Sequence, residues 1–140
     1  MTGNNLFAYG TLMCEDIMHE VAGELFERVP GTISGFSRYR VRGETYPGLV
    51  PQEGGSVDGV LYLNITRSAW ERLDRFEGAM YETVTLPVVC NGKIIAAESY
   101  IVKPAFRHLL ENTLWDFSLF LESGKTLFRN GYQGFFRYQN

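Results

Sequence analysis

The stretch YETVTLPVVCNGKIIAAESYIV, residues 81–102, contains two strand-like runs on either side of a turn. The runs 81–89 and 93–102 are rich in the β-branched and aromatic residues that favour strands. Asn91-Gly92 lies between them, and a type I′ turn prefers this pair because both of its central residues need a positive φ. The sequence therefore predicts an antiparallel β-hairpin.

Short apolar runs elsewhere predict three more strands and three helices. The strands are expected at residues 6–9, 35–41 and 57–65, and the helices at 15–28, 69–76 and 105–122. Ser68 and Glu71 fit a capping box for the second helix, with Gly78 at its end. Because strands and helices do not alternate strictly, we predict an α+β (mixed α/β) fold with a curved, largely antiparallel sheet.

Size and composition favour one packed domain over residues 1–140. The chain is 45% apolar with 10 Phe, 8 Tyr and 2 Trp, which is ample material for a core. Its two cysteines, Cys14 and Cys90, are far apart in sequence, which argues against a disulfide framework and against a cysteine-based zinc site.

Charge and hydropathy exclude several classes of partner. The net charge of -3 argues against nucleic-acid binding, which relies on a broad positive field. We find no polybasic membrane patch, no run of about 20 apolar residues and no pattern of a signal peptide. The expectation is a soluble cytoplasmic protein.

The first candidate site is FAYGTLM, residues 7–13, where a strand runs into Gly10-Thr11 just before a helix. Glycine allows the backbone to approach a ligand closely, and free N–H groups at such a turn attract a carboxylate or a phosphate. On the residues alone, an ordinary tight turn is the alternative.

The second candidate site is Glu77, in LDRFEGAMY. Trp70, Leu73 and Glu77 fall at i, i+3 and i+7, so the carboxyl group shares a helix face with two apolar residues. Desolvation and the negative end of the helix dipole are expected to raise its pKa, which suits general acid/base work near neutral pH. The alternatives are a surface carboxylate at a frayed helix end or a pair with an arginine such as Arg107.

Other chemistry-bearing residues have simpler interpretations. Glu71 and Asp74 could chelate a cation but are expected on a solvated, charged helix face. His19 and His108 each lack a second metal ligand nearby in sequence.

Cys14 lies close to a helix N-terminus, which lowers the pKa of a thiol, but no sequence feature links it to a histidine, so a buried inert thiol is preferred. The aromatic segment 128–138 is interpreted as a lid or core-closing element, with base stacking as its alternative.

Taken together, FAYGTL, YPGLVP (residues 46–51), VDGVLYLN and LDRFEGAMY resemble the gamma-glutamylcyclotransferase-like family. This family includes gamma-glutamylamine cyclotransferases and plant avirulence-induced relatives. The resemblance runs in order over residues 6–102 and implies a small barrel-like sheet with flanking helices. One departure is Tyr81-Glu82-Thr83, where many relatives read Tyr-x-Arg.

The resemblance also implies an activity and its residues. Glu77 would be the catalytic acid/base, and the substrate cradle would be Tyr9, Gly10, Thr11 and Leu12. The reaction would be intramolecular aminolysis of a small γ-glutamyl compound to 5-oxoproline and an amine or amino acid, with no metal, cofactor or covalent intermediate.

Two tyrosines and two alternative functions complete the sequence-based expectations. Tyr81 and Tyr100 would line the pocket as hydrogen-bonding aromatics, or else pack in the core. The first alternative function is a non-catalytic small-molecule or anion-binding module of the same fold. The second is a protein-interaction domain that uses the aromatic C-terminal segment.

Overall fold

The computed structural model describes residues 4–131. Its strands are β1 (Leu6–Ala8), β2 (Arg28–Val41), β3 (Pro47–Tyr62), β4 (Tyr81–Cys90), β5 (Lys93–Val102) and β6 (Leu110–Leu114). Its α-helices are α1 (Glu15–Ala22), α2 (Arg67–Glu77), α3 (Phe117–Leu119) and α4 (Lys125–Gly131). Short 3₁₀ helices cover Thr11–Met13 and Pro104–Leu109, and a π-helical turn covers Phe120–Gly124.

The strands form a closed, barrel-like sheet. Their order is β3-β1-β5-β4-β2-β6, and β2 also pairs with β3, so five strands close on themselves and β6 extends from β2. The described strand pairs are antiparallel except for β1 and β5, which are parallel at Leu6 and Glu98. This confirms the predicted α+β class and the curved, largely antiparallel sheet.

The predicted hairpin of β4 and β5 is confirmed. Its register runs from Tyr81 opposite Val102 to Cys90 opposite Lys93. Asn91 and Gly92 have φ values of 50° and 78°, as a type I′ turn requires. The Asn-Gly pair therefore fixes the register of the two strands.

Residues 15–28 are only partly helical, which corrects the first predicted helix. α1 ends at Ala22 because Gly23 adopts a left-handed conformation with φ 84° and donates its N–H to the carbonyl oxygen of His19 at 2.9 Å. Leu25 and Phe26 continue the apolar spacing of Ile17 and Met18, but the chain has left the helix there and enters β2 at Arg28.

The prediction of a third helix over residues 105–122 is wrong. A 3₁₀ helix, strand β6 and helix α3 occupy this stretch. Leu110 and Leu114 pair with Val41 and Tyr39 of β2, and this pairing outweighs the local helical pattern. α3 begins only after Asp116, whose carboxylate accepts a hydrogen bond from the N–H of Leu119 at 3.0 Å.

The cap of α2 also differs from the predicted Ser68–Glu71 box. Thr66 is the N-cap, and its hydroxyl accepts a hydrogen bond from the N–H of Ala69 at 3.2 Å. Gly78 follows the last helical residue, as predicted, and donates its N–H to the carbonyl oxygen of Asp74 at 3.1 Å. The correct N-cap therefore lies two residues before Ser68.

We expect Thr66→Ala to lower the free energy of unfolding by about 1 kcal/mol, because it removes this cap. Ser68→Ala should change it by much less, since the Ser68 hydroxyl caps no backbone group in the structure. Urea unfolding of the two variants checks this prediction. An equal loss in both would contradict the assignment of Thr66 as the cap.

Two apolar clusters lie on opposite faces of the sheet. Side chains alternate along β1, so Phe7 joins the cluster inside the barrel, whereas Leu6 and Ala8 join the cluster beneath the helices. The interior cluster is built from Phe7, Tyr9, Ile33, Leu49, Val57, Leu61, Leu86, Val88, Cys90, Ala97 and Ile101. β1 therefore separates the two clusters, and the chain that follows it begins the candidate site.

Among residues 4–131, no helix combines the length and the apolar character needed to cross a membrane.

Candidate active site

A cavity of about 90 Å³ lies between the turn after β1 and the C-terminal end of α2. One water molecule needs about 10–15 Å³ on this measure, so the cavity has room for a small ligand. Its wall contains every predicted site residue, namely Tyr9, Gly10, Thr11, Leu12, Glu77, Tyr81 and Tyr100. The fold thus brings together two segments that are separated by some 65 residues of sequence.

The turn at residues 10–12 presents a row of free backbone donors. The carbonyl oxygen of Gly10 accepts the N–H of Met13 at 2.9 Å, and that of Thr11 accepts the N–H of Cys14 at 3.1 Å. The N–H groups of Gly10, Thr11 and Leu12 have no acceptor within residues 4–131. A wall with three consecutive unsatisfied N–H groups suits an anionic ligand group. We name residues 10–12 the donor turn.

Gly10 is required by a close contact across the cavity wall. A Cβ atom built on Gly10 would lie 2.8 Å and 2.9 Å from two ring carbons of Pro47, where ordinary contacts begin at 3.4 Å. The following residues are held from behind, because the Tyr62 hydroxyl donates to the carbonyl oxygen of Leu12 at 2.7 Å. The shape of the donor turn therefore depends on both β3 residues, Pro47 and Tyr62.

Glu77 faces this turn from the last position of α2. Leu73 and Phe76, on the same helix, are buried in the core, which leaves the partly buried Glu77 at the cavity wall. Its carboxyl group makes no hydrogen bond or ion pair with any described residue, and the predicted alternative of a pair with Arg107 is not seen. The cavity thus contains a carboxyl group that has no partner among residues 4–131.

The environment of Glu77 moves its titration toward neutral pH. Burial is the main cause and the negative charge of Asp74 the second, and together they raise the pKa of Glu77 to about 8. The position of Glu77 on an apolar helix face predicted the effect of burial. The contribution of Asp74, which precedes Glu77 by three residues on α2, was not predicted.

Asp74 is tied to the cavity by Tyr100. The Tyr100 hydroxyl, on β5, donates to Asp74 Oδ1 at 2.6 Å. Burial, followed by this bond, raises the pKa of Tyr100, so its hydroxyl stays protonated at neutral pH. Asp74 is exposed, as the sequence predicted, and does not line the cavity, yet its bond to Tyr100 and its charge link it to the site. Its i, i+3 spacing from Glu77 was the available signal for this link.

The hydroxyl groups of the other two tyrosines also bond to protein. The Tyr81 hydroxyl donates to the carbonyl oxygen of Pro47 at 2.9 Å. The Tyr9 hydroxyl oxygen accepts a hydrogen bond from the backbone N–H of Leu49. Burial and the charge of Glu77 raise the pKa of Tyr9. These tyrosines therefore form a hydrogen-bonded wall and hold β3 against the site.

Several lining residues were not predicted from the sequence. They are mostly apolar or aromatic, and they include Tyr46, Pro47, Phe76, Met80 and Phe128. Each of them lies in a segment that the sequence analysis had singled out: Tyr46 and Pro47 in YPGLVP, Phe76 and Met80 in LDRFEGAMY, and Phe128 at the start of the aromatic segment 128–138. Residues 132–138 of the predicted aromatic lid lie outside the described residues.

Three further residues do not take part in the site. Thr83, where relatives often carry arginine, is exposed and does not line the cavity. Cys14 is buried, and burial raises the pKa of its thiol, which supports the inert interpretation. The described residues contain no cluster of three or more His, Cys, Asp or Glu side chains suited to a metal ion, and His19 belongs to none.

Comparison with known proteins identifies a family. The family described as "Gamma-glutamyl cyclotransferase, AIG2-like" matches residues 6–117. AIG2-like protein B of Arabidopsis thaliana is 35% identical over 99 residues, which are 69% of this chain and 58% of that protein. AIG2-like protein A is also 35% identical, over 70% of this chain and 61% of its own length. The chain therefore spans less than two thirds of these curated relatives.

Solved structures share the fold. A solution structure of an Arabidopsis thaliana protein has a TM-score of 0.71 at 28% identity. The match covers 100% of this chain and 95% of the Arabidopsis chain. A structure titled gamma-glutamyl cyclotransferase has a TM-score of 0.64 at 21% identity, covering 71% and 66% of the two chains. A mouse AIG2-like protein has a TM-score of 0.63 at 23% identity, covering 83% and 90%. Because the last two structures are only 21% and 23% identical to this chain, they show a shared fold alone.

Proposed function

Because the chain belongs to the gamma-glutamyl cyclotransferase, AIG2-like family, we propose that it cyclises a small γ-glutamyl compound to 5-oxoproline and releases an amine or amino acid. One observation carries this proposal. The same cavity contains the carboxyl group of Glu77 and the three N–H groups of the donor turn, none of which has a partner in the part of the chain that the structure describes. The first suits proton transfer and the second suits recognition of a carboxylate.

In this proposal, the donor turn binds the α-carboxylate of the γ-glutamyl group. Backbone N–H groups recognise an anion without a cationic side chain, and they hold it at a fixed distance from Glu77. Anchoring the carboxylate restricts the rotation of the glutamyl chain, which brings the α-amine near its own γ-carbonyl carbon. Tyr9, Tyr81 and Tyr100 would complete the wall around the chain.

Glu77 would then act first as a base and later as an acid. Its carboxylate takes a proton from the α-ammonium group, and the free amine attacks the γ-carbonyl carbon to close the five-membered ring. The ring nitrogen loses a second proton as the lactam forms, and the bond from that carbon to the departing nitrogen breaks. Both protons end on the departing nitrogen: Glu77 returns one as the bond breaks, and the released amine takes up the other as it becomes an ammonium group. The proton balance is zero, so the cycle needs no cofactor.

We predict that Asp74→Asn shifts the pH dependence of kcat/KM toward lower pH. The base form of Glu77 increases as pH rises through its pKa, near 8, and loss of the Asp74 charge lowers that pKa. The amide oxygen of asparagine can still accept the hydrogen bond from the Tyr100 hydroxyl, so the cavity wall at Tyr100 should remain in place. Rate profiles of the two proteins on one substrate test this, because the ammonium group of the substrate then titrates identically in both.

Glu71→Gln is the matched control for Asp74→Asn. It removes an exposed carboxylate from the same helix, away from the cavity lining. Its profile should overlay that of the unmodified protein. An Asp74→Asn profile that also overlays would contradict the electrostatic role of Asp74.

The proposed activity is tested on a panel of γ-glutamyl amines, γ-glutamyl amino acids and glutathione. We expect 5-oxoproline, detected by mass spectrometry, from at least one compound, and none above background with Glu77→Gln. A panel member that binds by calorimetry but yields no product would instead favour a non-catalytic binding module.

A further inference from the structure

The three free N–H groups of the donor turn belong to peptide groups whose carbonyl oxygens are all occupied. The Gly10–Thr11 peptide group accepts a hydrogen bond from Met13, and the Thr11–Leu12 group accepts one from Cys14. The Tyr9–Gly10 group accepts one from the guanidinium Nη1 of Arg38 at 2.7 Å. A hydrogen bond to a carbonyl oxygen polarises the peptide group and makes its N–H a stronger donor. Only the Arg38 bond, among these three, comes from a full positive charge.

Arg38 is fixed in place by contacts on several sides. The same Nη1 atom donates to the carbonyl oxygen of Asp58 at 2.9 Å, which ties β2 to β3. The guanidinium carbon lies 5.2 Å from the ring centre of the buried Trp115, a cation–π distance. The Trp115 indole N–H in turn donates to the carbonyl oxygen of Thr45 at 2.8 Å. The charge therefore has one defined position behind the donor turn.

No described residue forms a salt bridge with Arg38. Asp58 and Asp116 are the carboxylates near it, but neither forms an ion pair with it in the described part of the chain. Its donor atom bonds to backbone carbonyl oxygens instead. Partial burial lowers the pKa of Arg38, which is the mark of a cation removed from water. Such a charge acts on a neighbouring anion more strongly than an exposed one.

We infer that Arg38 is a positioning residue for substrate recognition, which holds and polarises the donor turn so that the turn prefers a carboxylate over a neutral group. The inference rests on the proposed function, since it takes the α-carboxylate of a γ-glutamyl compound as the bound anion. Arg38 does not line the cavity, so it acts through the Tyr9–Gly10 peptide group and not by touching the ligand.

The test compares two ligands that differ only in charge. Calorimetric titration with 5-oxoproline and with its uncharged carboxamide gives the preference for a carboxylate as a ratio of two dissociation constants. We expect Arg38→Met to weaken binding of the acid by about tenfold, the order of one charge-assisted hydrogen bond, with little change for the amide. Arg38→Lys, which keeps the charge, should recover part of the preference.

Arg40→Met is the matched control, because Arg40 is exposed on the same strand and lies 4.0 Å from Glu111, away from the cavity. It should bind both ligands as the unmodified protein does. Circular dichroism and thermal unfolding check that each variant is folded. If Arg38→Met does not fold, Arg38→Gln supplies the same loss of charge while keeping a neutral donor.

The outcomes separate this inference from the proposed function. A folded, uncharged variant with the unmodified preference for the acid would overturn the role of Arg38 alone. An unmodified protein that binds neither ligand, and forms no 5-oxoproline, would overturn the proposed function and this inference with it. A selective loss of acid binding supports both.

Discussion

Replacing Glu77 by glutamine is expected to reduce 5-oxoproline formation by about a hundredfold to ten-thousandfold while making the folded protein more stable at pH 8. The first effect follows because an amide cannot take up a proton from the α-ammonium group, and general acid/base catalysis typically contributes a factor of this size. The shape of the cavity should be nearly unchanged, since glutamine has almost the same volume. Steady-state kinetics by mass spectrometry measures the loss.

The gain in stability follows from the raised pKa of Glu77. In the unfolded chain this carboxyl group ionises near 4.5, whereas in the folded protein it keeps its proton up to about pH 8. Between these values the folded state binds one more proton than the unfolded state, so the free energy of unfolding falls as pH rises. The full shift corresponds to an upper limit of about 5 kcal/mol, which water in the cavity reduces.

Glutamine removes this pH-dependent cost. The difference in stability between Glu77→Gln and the unmodified protein should therefore be small at pH 4.5, increase up to pH 8 and stay constant above it. Urea unfolding at several pH values measures the difference. Glu71→Gln, on the exposed side of α2, should show no such trend. Full turnover by a folded Glu77→Gln variant would refute the catalytic role, and a difference independent of pH would refute the raised pKa.

Gly10→Ala is expected to lower kcat/KM by about a hundredfold. The new methyl group would overlap the Pro47 ring, which is rigid, so the donor turn has to move by several tenths of an ångström. Displacements of about 1 Å at a positioned substrate cost activity on this scale. Overpacking should also lower the free energy of unfolding by about 1–3 kcal/mol. Kinetics and urea unfolding on the same preparation give both quantities.

Gly31→Ala separates the effect on the site from the effect on stability. A Cβ atom at Gly31 would lie 2.6 Å from Cγ1 of Val88, inside the barrel, so a comparable loss of stability is expected. Because Gly31 does not line the cavity, kcat/KM should be unchanged. Equal losses of activity in the two glycine variants would mean that the donor turn has no special role.

Local signals were sufficient for much of the fold. Asn91-Gly92 predicted the turn between β4 and β5, because few other pairs accept two positive φ values. The spacing of Leu73 and Glu77 predicted that a carboxyl group would sit at the edge of the core. These features depend on residues close in sequence, and the structure reproduces both. The prediction of a single domain over residues 1–140 stays a prediction.

Non-local contacts account for what the sequence did not predict. β6 exists because Leu110 and Leu114 pair with β2, although the same residues also fit a helical repeat. The link between Asp74 and Tyr100 joins residues that are 26 positions apart, and no periodicity reports it. Arg38 reaches the donor turn only because β2 and β3 pair behind it. The tuning of the site therefore belongs to the tertiary structure.

The central claim is that this cavity performs ring closure, and mass spectrometry of the products formed in H₂¹⁸O tests it most directly. Attack by the α-amine of the substrate introduces no oxygen from water. We therefore predict 5-oxoproline without ¹⁸O, together with an equimolar amount of the released amine. Glutamate carrying one ¹⁸O atom would show hydrolysis by water in place of ring closure and would contradict the account.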